Sequence, residues 1–148
     1  MEFHGEQTGG QPAFSLKNIP DAARAVVFTG CCWGALTVDK PANRLSEGVT
    51  ARTASDSIAM KFLAAGANAF VGCTGVHYSP IQSPYNSFGG PMHKAFWEKV
   101  VGGVPPAKAL FEAKKDYMSG MFHGREGAIE KAIEYKILRQ FTCLGLGW

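Results

Sequence analysis

Short apolar runs alternate along this chain with segments of helical periodicity. The run from Arg24 to Thr29 is β-branched and aromatic at its centre, which predicts a buried strand. After Ser55-Asp56, two residues suited to capping, apolar side chains recur at helical spacing until Gly66, which is placed to end a helix. Residues 69–73 predict a second buried strand. The order strand, helix, strand predicts an α/β fold with a largely parallel sheet.

The second half of the chain is predicted to be mainly helical. Pro91 opens one helix that ends at Gly102-Gly103, Pro106 opens another, and a third begins near Glu126. Helical spacing predicts core stripes made of Met92, Phe96 and Val100, then Ala107, Leu110, Phe111 and Tyr117, then Ile129, Ile133 and Ile137. Residues 141–144 predict a last strand.

Two long loops, at residues 35–50 and 74–90, leave the carboxyl ends of the two predicted buried strands. Ligands of open α/β sheets bind at this edge, so we expect the second loop to form the wall of a cleft. The predicted substrate-binding residues in it are Thr74, Gly75, His77 and Tyr78.

Composition narrows the class of protein. The 148 residues, 46% of them hydrophobic, are enough for a single globular domain over residues 1–148. A net charge of +3 without a long basic run argues against nucleic-acid binding, and no apolar run reaches the length of a bilayer span. The four cysteines are expected to be reduced, which favours a cytoplasmic location.

Candidate chemistry lies where two apolar runs end. The first apolar run lies at the start of the chain and ends at His4-Gly5. Cys31 follows the strand predicted from Arg24 to Thr29, and Gly34 stands three residues after Cys31. A thiol that attacks a carbonyl needs a base and backbone donors for the oxyanion. Because glycine lets a backbone approach a substrate closely, the N–H groups of Gly5 and Cys31 are candidate oxyanion donors. The two segments are expected to end adjacent strands, with His4 as base and Cys31 as nucleophile.

Longer stretches of the chain resemble a known family. His-Gly is followed by Phe-Ser-Leu, Ile-Pro-Asp, and an apolar strand into Cys-x-x-Gly, and then by a helix, a small-residue turn and a strand over residues 54–74. Phe96-Trp97 leads into Gly-Gly-Val-Pro-Pro-Ala-Lys-Ala-Leu. From His4 to about Tyr117, this order resembles the caspase-like cysteine peptidases, specifically the gingipain-type peptidases and the related CHAT domains.

The resemblance implies a caspase-like three-layer sandwich with a mostly parallel sheet. It also implies an endopeptidase with a Cys31/His4 dyad, a thioester intermediate, a peptide or protein substrate, and no cofactor or metal. Cys32 would be a bystander, because the matching cysteine stands three residues before the glycine. The family has strands before the histidine, whereas three residues precede His4 here. We therefore expect a domain that is incomplete on its N-terminal side, part of a longer chain with further domains, and weak or inactive alone.

Two other interpretations stay open at this stage. The first is a non-catalytic caspase-like module that binds peptides. The second is an amidase or glutaminase-like hydrolase, because Gly30 to Gly34 also fits a nucleophile elbow centred on Cys32, although that elbow needs a helix directly after the nucleophile. A metal site is disfavoured, since no Cys-x2-4-Cys pair is present.

The residue preference at the cleavage site cannot be predicted from the sequence, because Asp39 and Glu47 would favour a basic residue only if they point inward.

Overall fold

A computed structural model describes residues 2–4, 11–80, 83–120 and 127–145 and has a mixed α/β fold. The strands within these ranges are β1 (Glu2–His4), β2 (Pro12–Ser15), β3 (Val26–Phe28), β4 (Ala69–Cys73) and β5 (Phe141–Leu144). The α-helices are α1 (Ile58–Ala64), α2 (Gly90–Val101), α3 (Pro106–Gly120) and α4 (Ala128–Gln140), and 3₁₀ helices cover Leu16–Asn18 and Ala42–Glu47.

The central sheet has the order β3-β4-β5. β3 runs parallel to β4, with Val27 opposite Phe70, and β5 runs antiparallel to β4, with Cys143 opposite Val71. All five residues of β4 are buried, as its unbroken apolar run predicts. The prediction of a mostly parallel sheet is wrong in the described residues, because one of its two pairings is antiparallel.

The segment that ends at His4 lies outside this sheet. β1 pairs with β2 as an antiparallel hairpin, in which Phe3 faces Phe14 and the register shifts between Phe3 and His4. The expectation that the His4 and Cys31 segments end adjacent strands of one sheet is therefore wrong for the described residues. Periodicity predicts that a segment is extended but not which strand it pairs with.

Each face of the central sheet carries its own hydrophobic core. Val71 and Cys73 point into one core, which α2, α3 and α4 cover. Phe70 points the other way, into a core that includes Ile58 of α1 and Phe14 of the hairpin. This alternation along β4 explains why the strand is buried on both sides.

Three predicted core residues, Ala107, Phe111 and Ile129, are exposed. Phe111 is 63% exposed because α3 buries Ala109, Leu110 and Ala113, a stripe from which Phe111 is displaced around the helix. Ile129 is 76% exposed because α4 is buried toward its other end, at Ile137. Helical spacing alone defines several stripes, and tertiary packing selects one of them.

The loop after β3 packs against β4 at a glycine. A Cβ on Gly72 would lie 2.9 Å from Thr29 Cγ2 and 3.2 Å from the backbone nitrogen of Ala35. A Cβ on Gly34 would likewise lie 2.8 Å from Thr29 Cγ2. The two glycines therefore allow this loop to approach the end of the sheet closely.

We predict that Gly72→Ala destabilises the protein by about 1–3 kcal/mol, because the new methyl group overpacks a site bounded partly by backbone. The matched control is Gly120→Ala at the end of α3, where a Cβ meets no atom within 4 Å. That control should change stability by less than about 1 kcal/mol. Urea unfolding measures both; equal effects of the two substitutions would contradict the close approach.

Candidate functional site

A cleft of about 1240 Å³ opens at the edge of the sheet where β3 and β4 end. We call it the main cleft. Its lining includes Cys31 and Cys32 after β3, His77 after β4, His93 and Trp97 of α2, and Phe141 of β5. Both predicted strand ends thus contribute to one cavity, as expected for ligand sites in open α/β sheets.

Residues 30–36, the cysteine turn, are anchored to the end of β4 by backbone hydrogen bonds. Trp33 N–H donates to Gly75 O at 3.0 Å, and Ala35 N–H donates to Cys73 O at 2.9 Å. Trp33 has a φ of 53°, a left-handed conformation that is costly for a large side chain. The anchoring bonds hold this turn in place, and with it the two thiols.

Cys31 is half-buried and lines the main cleft. Its backbone N–H donates to Thr29 Oγ1 at 3.1 Å, and Thr29 is buried. The predicted oxyanion donor at Cys31 is therefore already engaged by a side chain, which the sequence-based prediction did not include. The second predicted donor, Gly5, lies outside the described residues.

Cys32 is exposed, and its thiol is tied to the loop after β4. The N–H of His77 donates to Cys32 Sγ at 3.3 Å, and Sγ lies 3.9 Å from His77 O. Turns follow Cys32, and the next helical segment is the 3₁₀ helix Ala42–Glu47. A nucleophile elbow requires a helix directly after the nucleophile, so this part of the chain lacks the elbow's geometry.

The position of His4 is described only at the level of its backbone, as the last residue of β1. The preceding residue, Phe3, lines the main cleft together with Cys31 and Cys32. Because adjacent Cα atoms are about 3.8 Å apart, the His4 backbone lies close to this cleft. The Cys31/His4 dyad stays a prediction, since the His4 side chain lies outside the described part of the chain.

His77 is fixed at the wall of the main cleft from several sides. Gln140 Nε2 lies 2.9 Å from His77 Nδ1, and the Phe141 ring meets the imidazole edge-on at 5.0 Å. A Cβ on Gly89 would lie 2.7 Å from His77 Nε2, so the ring packs directly on the Gly89 backbone. The predicted placement of His77 in the cleft wall agrees with this geometry.

Burial keeps the imidazoles of His77 and His93, which line the main cleft, neutral. Desolvation, with a smaller contribution from His93, lowers the pKa of His77 to about 4. Desolvation also lowers the pKa of His93, whose ring stacks on Phe28 at 4.2 Å. Because the Gln140 NH₂ group can only donate, Nδ1 of neutral His77 accepts and Nε2 carries the proton.

The other predicted substrate-binding residues lie outside the lining of the main cleft. Thr74 Oγ1 donates to Gln140 O at 3.1 Å, and Gly75 O accepts the anchoring bond of the cysteine turn. Tyr78 is 39% exposed, and Lys136 Nζ lies 5.3 Å from its ring centroid. These positions support structural roles for Thr74 and Gly75, and Tyr78 is not among the residues that line the cleft.

Sequence reasoning missed His93, Gln140 and Thr29 as residues of the site. His93 and Gln140 lie in helices, where a cleft-facing position has the same pattern as a surface position. Only Thr29 could have been predicted from the sequence. It stands directly before the cysteine turn, and threonine hydroxyls often accept a hydrogen bond from a nearby backbone N–H.

Comparisons with known proteins found no significant match to any family, curated protein or solved structure. Across residues 2–4, 11–80, 83–120 and 127–145, no three His, Cys, Asp or Glu side chains form a group able to hold a metal ion. No helix in the same ranges has the length and apolar character to cross a membrane.

We predict that the His77 imidazole titrates near pH 4 in the folded chain, because its cationic form is desolvated. The folded pKa lies below the unfolded value of about 6.5, so the stability contributed by neutral His77 is present above pH 6.5. That contribution is lost as the pH falls toward 4. NMR of the histidine Cε1–H signals, assigned with His77→Gln, measures the midpoint; a value near 6.5 would contradict the burial.

Proposed function

We propose that this chain carries a cysteine endopeptidase site of the caspase-like, gingipain or CHAT type. Cys31 is the nucleophile, His4 is the base, and the main cleft receives the peptide. One observation carries the proposal: Cys31 lines a cleft of about 1240 Å³ just after the half-buried strand β3, which runs parallel to β4. Phe3, next to His4, lines the same cleft.

The fold supports the family part of the proposal at a general level. β3 and β4 are parallel, and helices cover both faces of the central sheet, as a caspase-like sandwich requires. The hairpin β1-β2 brings the His4 segment toward the cysteine turn, although β1 belongs to a separate sheet. Proximity to the thiol, rather than membership of the same sheet, is what the proposed dyad needs.

In the proposed reaction, the Cys31 thiol gives its proton to His4 and the thiolate attacks the peptide carbonyl carbon. The tetrahedral intermediate then collapses, the C–N bond breaks, and His4 protonates the leaving amine. Water attacks the resulting thioester, which releases the acid and restores the thiol. No electron transfer and no cofactor take part.

The engaged N–H of Cys31 fits this scheme if the oxyanion displaces Thr29. In the free chain the N–H donates to the neutral hydroxyl of Thr29. A hydrogen bond to a charged acceptor is roughly twice as strong as one to a neutral acceptor. The exchange from hydroxyl to oxyanion is therefore favourable, and the hydroxyl preorganises the turn until substrate arrives.

The second candidate function is a caspase-like module that binds peptides without cutting them. Two observations favour it: the Cys31 N–H is occupied by Thr29, and the cleft imidazoles His77 and His93 are neutral and desolvated. A desolvated imidazole of pKa about 4 is a poor base at neutral pH. In this candidate, the main cleft binds the same ligands but Cys31 has no chemical role.

We predict that Cys31→Ala abolishes hydrolysis of a fluorogenic peptide mixture, because it removes the attacking sulfur. Cys32→Ala is the matched control: it removes the hydrogen bond to His77 N–H and should cost about 1 kcal/mol of stability while most activity remains. Loss of activity in Cys32→Ala alone would shift the nucleophile to Cys32. Binding of the same peptides without any turnover that depends on Cys31 would support the module.

A further inference from the structure

The walls of the main cleft are predominantly aromatic and apolar. Phe28 of β3, Trp97 of α2 and Phe141 of β5 contribute rings, and Pro84 and Tyr85 contribute from the loop between β4 and α2. Tyr85 is 58% exposed and Trp97 is half-buried, so these two rings stay accessible to a ligand. Side chains of this kind gain free energy when they cover another apolar side chain.

No carboxylate lines the main cleft in the described part of the chain. Asp39 lies in a smaller neighbouring pocket, beside Trp33, and its Oδ1 accepts the N–H of Thr50 at 2.8 Å. Glu47 forms an ion pair with Arg44 at 3.4 Å and is not among the cleft residues. The two acids that would favour a basic substrate residue are thus directed elsewhere.

Lys94 is the positively charged residue that lines the main cleft in the described part of the chain, and it contributes little to the binding of acidic ligands. Its side chain is 78% exposed, and its Nζ lies 3.8 Å from Glu98 Oε1. An exposed, paired ammonium group adds little binding energy. His77 and His93 are neutral, as shown above, and add no positive charge.

We propose that the main cleft selects a peptide with an aromatic or large aliphatic side chain at the residue that supplies the scissile carbonyl. This inference rests on the proposed function and names its substrate class. In the main cleft, a lysine or arginine side chain would lose its hydration water, which is costly because no described carboxylate of the lining would pair with its charge. An aromatic side chain instead covers Trp97 and Tyr85.

Four peptidyl chloromethyl ketones with one shared leader and a last residue of Phe, Leu, Lys or Asp test the inference. The Cys31 thiol gives its proton to the base or buffer, and the thiolate then displaces chloride to form a thioether. Peptide mass mapping measures the labelling rate of Cys31 for each reagent. We expect Phe and Leu to label Cys31 roughly 10- to 100-fold faster than Lys or Asp.

Two variants report on the walls of the main cleft. Tyr85 has a φ of 57°, a conformation that glycine adopts without strain. Because the Tyr85 side chain is exposed, Tyr85→Gly removes the ring without leaving a buried cavity. We expect it to slow the Phe reagent severalfold and to leave the Lys reagent unchanged. Lys94→Ala, the matched control at the exposed cation, should leave the order of the four reagents unchanged.

The outcomes separate this inference from the proposed function. Fastest labelling of Cys31 by the Lys or Asp reagent would overturn the apolar preference and leave the peptidase site intact. An Asp preference that is lost in Lys94→Ala would assign recognition to that cation and would also overturn the inference. If no reagent labels Cys31 faster than iodoacetamide does, the peptidase proposal fails, and the substrate class fails with it.

Discussion

Backbone hydrogen bonds between the cysteine turn and the end of β4 are the constraint on which the site depends. The bonds from Trp33 N–H to Gly75 O and from Ala35 N–H to Cys73 O fix the turn against the sheet. Their geometry requires close approach, which Gly72 permits because it has no Cβ. The positions of both thiols, and the floor of the main cleft, follow from this anchoring.

The opposite wall depends on a second set of contacts that joins distant parts of the chain. Gln140, at the end of α4, meets the imidazole of His77, while Thr74 bonds to the Gln140 carbonyl. The N–H of His77 in turn donates to Cys32 Sγ. The loop after β4 is therefore tied to α4 on one side and to the cysteine turn on the other. Such mutual restraint preorganises a site before a ligand arrives.

Elements with a strong local sequence pattern were predictable. Strand pairing, and the face that each helix buries, were not. β4 was predicted at its observed bounds, because a strand buried on both faces reads as an unbroken apolar run. Phe111 shows the limit of helical periodicity, since several stripes fit the sequence and packing selects one. The pairing of β1 with β2 is set by three-dimensional contacts, whereas the bond from Cys31 N–H to Thr29 Oγ1 is local and was missed although it joins residues two apart. The cleft-lining His77 was predictable because its loop leaves the carboxyl end of β4.

The central claim is that Cys31, rather than the more exposed Cys32, is the reactive thiol. The most direct measurement is mapping of the acyl group after brief exposure of the intact chain to a substoichiometric p-nitrophenyl ester. Simple accessibility predicts acylation of Cys32, whereas a site built for nucleophilic attack predicts a thioester on Cys31. Acylation of Cys31 ahead of Cys32, reduced in His4→Ala, is the result we expect. Acylation that follows exposure, with Cys32 modified first and no effect of His4, would contradict the account.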